Sequence, residues 1–186
     1  MIKSKQDYRE YRMRDKTLNM SWRDILFNDI AHFKILLRKT ELYTNCSSNF
    51  FGKLICVYYK FRLIRLGRKL GFSIPVNVFG PGLSIAHRGT IVVNPSTRVG
   101  ANCRLHVCVN IGATGGSSKA QKIGNNVYIA PGAKIFGDIV IANNIAIGAN
   151  AVVNKSFHEE NITIAGVPAK KISDGGSRTA GWKPNG

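Results

Sequence analysis

The sequence predicts a mainly β protein, a solenoid of short parallel strands behind an N-terminal α-helical segment. Three observations carry this. Aliphatic or aromatic residues stand at Phe79, Ile85, Ile91, Val99, Leu105, Ile111, Ile123, Ile129, Ile135, Ile141, Ile147 and Val153, and ten of the eleven steps are six or a multiple of six. A small residue often follows the inward one, as at Gly80, Ala86, Gly100, Gly112, Gly124, Ala130 and Gly148. Before residue 72 the beat changes, and apolar residues recur at helical spacing.

A period of six is neither the three-and-four spacing of a helix nor the two of a flat strand. It fits short sides joined by tight corners, with one large apolar residue per side pointing inward. Three sides make a coil of 18 residues, which stacks Ile123 on Ile141, Ile129 on Ile147 and Ile135 on Val153. Successive coils then hydrogen-bond at strand spacing, about 4.8 Å. Gly and Asn take unusual corner angles cheaply, which accounts for Asn102, Asn125, Asn126, Asn143, Asn144 and Asn150. The one irregular step, Ile91 to Val99, carries two extra residues.

From the N-terminus, residues 1–20 read as a polar arm or short helix. Ser21 is placed to cap a helix from Trp22 to about Arg38, with Ile25, Leu26, Ile30, Phe33, Leu36 and Leu37 on one face. Residues 43–49 read as a loop. A second helix follows over Phe50 to Leu70, apolar at Phe51, Leu54, Ile55, Tyr58, Phe61 and Leu66. It carries Lys53, Lys60, Arg62, Arg65, Arg68 and Lys69. A solenoid end needs a cap, so its apolar face is expected to pack on the first coil. The alternative for this basic amphipathic helix is a membrane surface. The Gly- and Ser-rich stretch after Ile111 is expected to loop out of the coil wall. The expected divisions are a helical segment over 1–71, the solenoid over 72–173 and a flexible tail over 174–186.

Formal charge is +17 and hydrophobic content 44%, ample for a core. The basic excess fits phosphates, an anionic glycan or a membrane surface. No nucleic-acid-binding module is evident. Cys46, Cys56, Cys103 and Cys108 form no CxxC pair and read as reduced, buried thiols. With no signal peptide, a cytoplasmic location is expected, with the inner membrane face as the alternative.

Three blocks carry a resemblance: GPGLSIAHRGTIV (80–92), VNIGATGG (109–116), and KIGNNVYIAPGAKIFGDIVIANNIAIGANAVV with AGVPAKKI (122–172). In that order they resemble the left-handed parallel β-helix acetyltransferases, within them the serine acetyltransferase branch. The left hand comes from the resemblance, since general crossover rules favour the right. The resemblance implies a homotrimer that uses acetyl-CoA as co-substrate and no metal, with active sites between neighbouring coils. It places the catalytic base at His87, in SIAHRGT. A neutral imidazole suits that task, taking a hydroxyl's proton during attack on a thioester. It places oxyanion donors at the backbone N–H groups of Gly112 and Ala113. Pro131 and Ala149, one coil apart, fall where the family lines the pantetheine arm. Asn154 and Lys155 match residues meeting the nucleotide end, and Lys170, with Lys171 nearby, matches a basic residue near the CoA phosphates. The ordinary alternatives are a solvated imidazole and solvated surface lysines. His106, after the inward Leu105, is expected to share the cleft of His87. His32 is a candidate for reaching the acceptor, and His158 reads as surface.

Two departures bear on the acceptor. The serine branch pairs its His with an Asp 15 residues earlier, which here is Phe72, and no Asp or Glu occurs from Leu42 through Gly137. A carboxylate for His87 must come from Asp24, Asp29 or Glu41, from beyond residue 137, or from another subunit. The branch's Arg-His pair for serine's carboxylate is replaced by Lys119 and Ala120. The short helical segment resembles proteins that acetylate surface or capsular polysaccharide, for which Trp22, Tyr58 and Tyr59 offer stacking surfaces. The expectation is therefore an O-acetyltransferase acting on a sugar hydroxyl of a surface glycan or its precursor, with L-serine as the alternative acceptor. A zinc hydratase on the same solenoid needs three His, and the repeats hold His87 and His106 alone. A non-catalytic or membrane-surface binding solenoid is the remaining alternative.

Overall fold

The computed structural model describes residues 1–17, 20–113 and 121–182. Helix α1 (Lys5–Arg14) starts at Ser4, whose hydroxyl accepts from the Asp7 amide at 3.0 Å. Helices α2 (Trp22–Phe27), α3 (Asp29–Cys46) and α4 (Phe50–Leu70) follow. The single helix expected from Trp22 to Arg38 is thus broken. The Asn28 side chain accepts from the Ala31 amide at 3.0 Å and starts α3 afresh. Most of the loop expected over 43–49 is helical, because tertiary contact sustains the last turns of α3. Thr40 and Glu41 are buried, and Tyr43 stacks on Tyr59 of α4 at 5.4 Å.

Helix α4 has the expected bounds, capped by Asn49 and closed by Gly71 at φ 79°. Its packing face is not the expected one. Gly52, Cys56, Leu63, Gly67 and Leu70 are buried. Of the six apolar residues expected inward, Leu66 packs against the core, whereas Phe51, Leu54, Ile55, Tyr58 and Phe61 are exposed. The smallest residues lie inward because the helix approaches its neighbours closely. A Cβ on Gly67 would meet the Phe72 carbonyl oxygen at 2.8 Å. Among the cysteines, Cys56 and Cys103 are buried as expected, but Cys46 and Cys108 are exposed.

The solenoid has three parallel faces. The first stacks β1 (Phe72–Ser73), β3 (Ile91–Val93), β6 (Val109–Gly112), β9 (Lys134–Phe136) and β12 (Val152–Val153). The second stacks β4 (Arg98–Val99), β7 (Lys122–Ile123) and β10 (Val140–Ile141). The third stacks β2 (Ser84–Ile85), β5 (Arg104–Leu105), β8 (Tyr128–Ile129), β11 (Ala146–Ile147) and β13 (Thr163–Gly166). An antiparallel hairpin to β14 (Ala169–Ser173) closes the third face.

Ile123 pairs with Ile141, Ile129 with Ile147 and Ile135 with Val153, as the period requires. Ile85 pairs with Leu105, two residues beyond a coil, which absorbs the irregular step. Ile111 pairs with Ile135, one hexad beyond a coil. Most of the Gly- and Ser-rich stretch expected to loop out after Ile111, residues 114–120, lies outside the described residues. The corners form an asparagine ladder. Asn102 donates to Asn126, and Asn126 to Asn144, each at 2.9 Å. All three residues adopt positive φ.

The helical segment is clamped to the first coil by Arg38, which is fully buried. Its guanidinium meets Asp15 at 2.8 Å and Glu41 at 2.9 Å, and donates to the carbonyls of Phe79 and Gly80. Asp15 also accepts from the amides of Gly82 and Leu83 at 2.8 Å. At the other end, the described residues after 173 contact the solenoid. The Ser177 amide donates to the Asn144 carbonyl, and the Trp182 indole donates to the Asn102 carbonyl.

Candidate active site

The candidate residues fall on different edges of the prism. His87 follows β2, at the edge where the third face turns into the first. His106 and Val107 occupy this edge in the next coil, Pro131 and Gly132 in the one after, and Ala149 and Asn150 beyond that. Backbone bonds tie the column: Gly132 N–H to the Val107 carbonyl and Asn150 N–H to the Pro131 carbonyl, both at 2.9 Å. Gly112, Ala113, Asn154 and Lys155 lie instead where the first face turns into the second. Gln121 donates to the carbonyls of Gly112 and Gly137, fixing that edge from inside. Lys170 is exposed on β14, and Lys171 is engaged by Glu159 and Asp174. Lys155 lies over the Phe157 ring at 5.5 Å.

His87 is exposed, with its ring centroid 6.2 Å from that of His106. His106 is half-buried and lies 5.1 Å from the Tyr128 ring. Arg104 donates to His106 Nε2 at 3.3 Å, so the neutral ring carries its proton on Nδ1. Burial first, then the charges of Arg104 and His87, hold the His106 pKa below its ordinary value. Arg104 also reaches Ser84 Oγ and lies over the Trp182 ring at 5.2 Å. Arg104 and Tyr128 were not singled out in the sequence. Their signal was positional: each immediately precedes an inward residue, Leu105 or Ile129, as Ser84 precedes Ile85.

Among the described residues, no hydrogen bond engages the His87 ring. Two of the carboxylates considered for it have other partners. Asp29 pairs with Arg88 at 3.4 Å and Lys69 at 3.2 Å. Glu41 is buried against Arg38 and accepts from the Asn77 amide at 2.8 Å. The Asp24 side chain, and Lys119 and Ala120, lie outside the described residues. Phe72, at the position of the serine branch's Asp, is buried edge-on against Phe33 at 5.1 Å. Burial, then the nearby Arg62 charge, lowers the His32 pKa; its ring meets Arg62 at 3.3 Å. His158 is exposed. Trp22 and Tyr58 are exposed, and Tyr59 is held between Tyr43 and Tyr58.

No family model matches the chain. It is 37% identical over 101 residues to a serine acetyltransferase of Staphylococcus xylosus, covering 53% of this chain and 46% of that protein. It is 34% identical over 101 residues to that of Synechococcus elongatus, covering 41% of that protein. The chain thus spans about half the length of the curated relatives it matches. Among solved structures, the serine acetyltransferase of Brucella abortus superposes with a TM-score of 0.70 at 27% identity, covering 92% of this chain and 69% of that one. The same enzyme in complex with coenzyme A gives 0.65 at 27%, covering 92% and 68%. This chain is a left-handed parallel β-helix behind an N-terminal helical segment.

Proposed function

We propose that this chain transfers an acetyl group from acetyl-CoA to a hydroxyl, with His87 as general base. The observation that carries the reading is the column of His87, His106, Pro131 and Ala149 on one edge, in a chain similar to serine acetyltransferases, one of them solved with coenzyme A. The acceptor oxygen attacks the thioester carbon as its proton passes to the His87 imidazole. The tetrahedral intermediate then expels the CoA thiolate, which takes that proton back. Pro131 and Ala149 line the pantetheine arm, and Asn154, Lys155 and Lys170 meet the nucleotide end. Gly112 and Ala113 supply N–H groups to the oxyanion. Because those two lie on a different edge from His87, the complete site takes one edge from each of two copies. That supports a homotrimer as the working form.

The named relatives favour L-serine as acceptor over the sugar hydroxyl expected from the sequence. L-serine is therefore the leading acceptor. A sugar hydroxyl remains the second reading on one specific observation: Lys119 and Ala120 stand where the serine branch has the Arg-His pair for serine's carboxylate, which depletes the charged equipment for a free amino acid. Thiol release from acetyl-CoA by the purified chain tests both. Turnover with L-serine, lowered about 10²- to 10⁴-fold in His87→Ala, is expected. Turnover with sugars of surface glycans and none with serine would move the assignment to the second reading. Turnover unchanged in His87→Ala would remove His87 as the base.

A further inference from the structure

The side of α4 that faces away from the protein is its apolar side. Phe50, Phe51, Leu54, Val57, Phe61 and Ile64 form a continuous exposed strip over four turns, and Phe51 and Phe61 expose 74% and 64% of their surface. Leaving such a strip in water is unfavourable, and large exposed apolar patches mark interaction surfaces. Lys53 and Lys60 flank it on one side and Arg62 and Lys69 on the other, with Arg65 and Arg68 near its C-terminal end. No helix of the described residues is long and apolar enough to cross a membrane.

We propose that this face of α4 docks the protein onto an anionic lipid bilayer. Charge selects the occupant. The helix has six cations and no anion, within a stretch from residue 42 to 137 that contains no Asp or Glu. A second copy of the same face would oppose cations to cations, whereas acidic headgroups neutralise them. Aromatic and aliphatic side chains enter the headgroup boundary, and the flanking Lys and Arg reach back to the phosphates.

The face continues into a groove of about 620 Å³ between α3 and α4, lined by His32, Tyr58, Phe61, Arg62, Arg65 and Lys69. Lys69 of this groove and Arg88, the neighbour of His87, share Asp29. The Leu70 carbonyl accepts from the Gly89 amide at 3.1 Å. Docking therefore brings the His87 edge close to the bilayer. The docking claim itself does not depend on acetyl transfer.

Co-sedimentation of the full chain with vesicles tests it. With phosphatidylcholine containing phosphatidylglycerol, binding is expected at least about tenfold tighter than with phosphatidylcholine alone, and reversed by high salt. The variant Leu54→Ser/Phe61→Ser/Ile64→Ser is expected to bind at least about tenfold more weakly while keeping its mass in light scattering. Should it fail to fold, Lys53→Gln/Lys60→Gln/Arg65→Gln serves the same purpose through charge. Absence of binding to the anionic vesicles, or undiminished binding by the variants, overturns the proposal. So does dissociation of an oligomer by the serine variant, which would make the strip an interface between copies.

Discussion

At the scale of single residues, the edge that carries His87 holds two positions whose surroundings make measurable demands. Cys108 adopts φ 60° at a corner where the neighbouring coils use Gly132 and Asn150, also at positive φ. An ordinary side chain is strained there, and Asn tolerates the conformation better. Cys108→Asn is expected to stabilise the fold by about 0.5–1 kcal/mol, seen as a raised thermal midpoint. His106 is held neutral by burial and by the charges of Arg104 and His87. Its native pKa lies below the ordinary 6.5, so the unfolded chain takes up the proton first. The stability tied to the neutral ring is present above about pH 6.5 and is lost as pH falls toward the lowered native value. His106→Gln removes that titration. The stability difference between the native chain and this variant is expected to shift in the variant's favour between about pH 7.5 and about pH 5.5, followed by thermal melts.

At the scale of elements, small residues serve the solenoid in two ways, of which the sequence indicated one. Gly82 and Gly132 supply positive φ at corners, as the turn argument requires. Gly80, Gly100 and Gly124 do not; they are small because the coils touch. A Cβ on Gly100 would come within 2.8 Å of the Gly124 backbone and 2.5 Å of Asn125 Oδ1. Gly100→Ala is therefore expected to cost about 1–3 kcal/mol by forcing adjacent coils apart, measured by denaturant unfolding. The same logic governs α4. Its packing face carries Gly52, Cys56 and Gly67. Gly67 lets the helix approach Phe33 of α3 and Phe72 of β1, Gly52 makes room for Ser47 and Asn49 of the preceding turn, and the bulkier apolar side is turned outward.

At the scale of the whole molecule, the helical segment and the solenoid are joined by a buried ionic cluster. Arg38 and Asp15 are completely buried, and each bonds backbone groups of the first coil as well as the other. Such a pair resists removal of one partner, because the remaining carboxylates are stranded without compensation. Arg38→Ala is expected to cost about 3–5 kcal/mol and to loosen the stretch leading into β2 and His87, read out by hydrogen exchange at Gly82 and Leu83.

The sequence by itself determined the solenoid, its register and the place of His87. Inward residues recur at fixed intervals, and each corner angle is set by the few residues that form it; both are local properties. The pairings of Ile85 with Leu105 and Ile111 with Ile135 were legible for the same reason, as breaks in the beat. Tertiary structure decided which face of α4 is buried, that Arg38 finds Asp15 and Glu41, and that Asp29 serves Arg88 and Lys69 rather than His87. These outcomes depend on which surfaces meet across long separations in the chain, and no local pattern encodes that meeting.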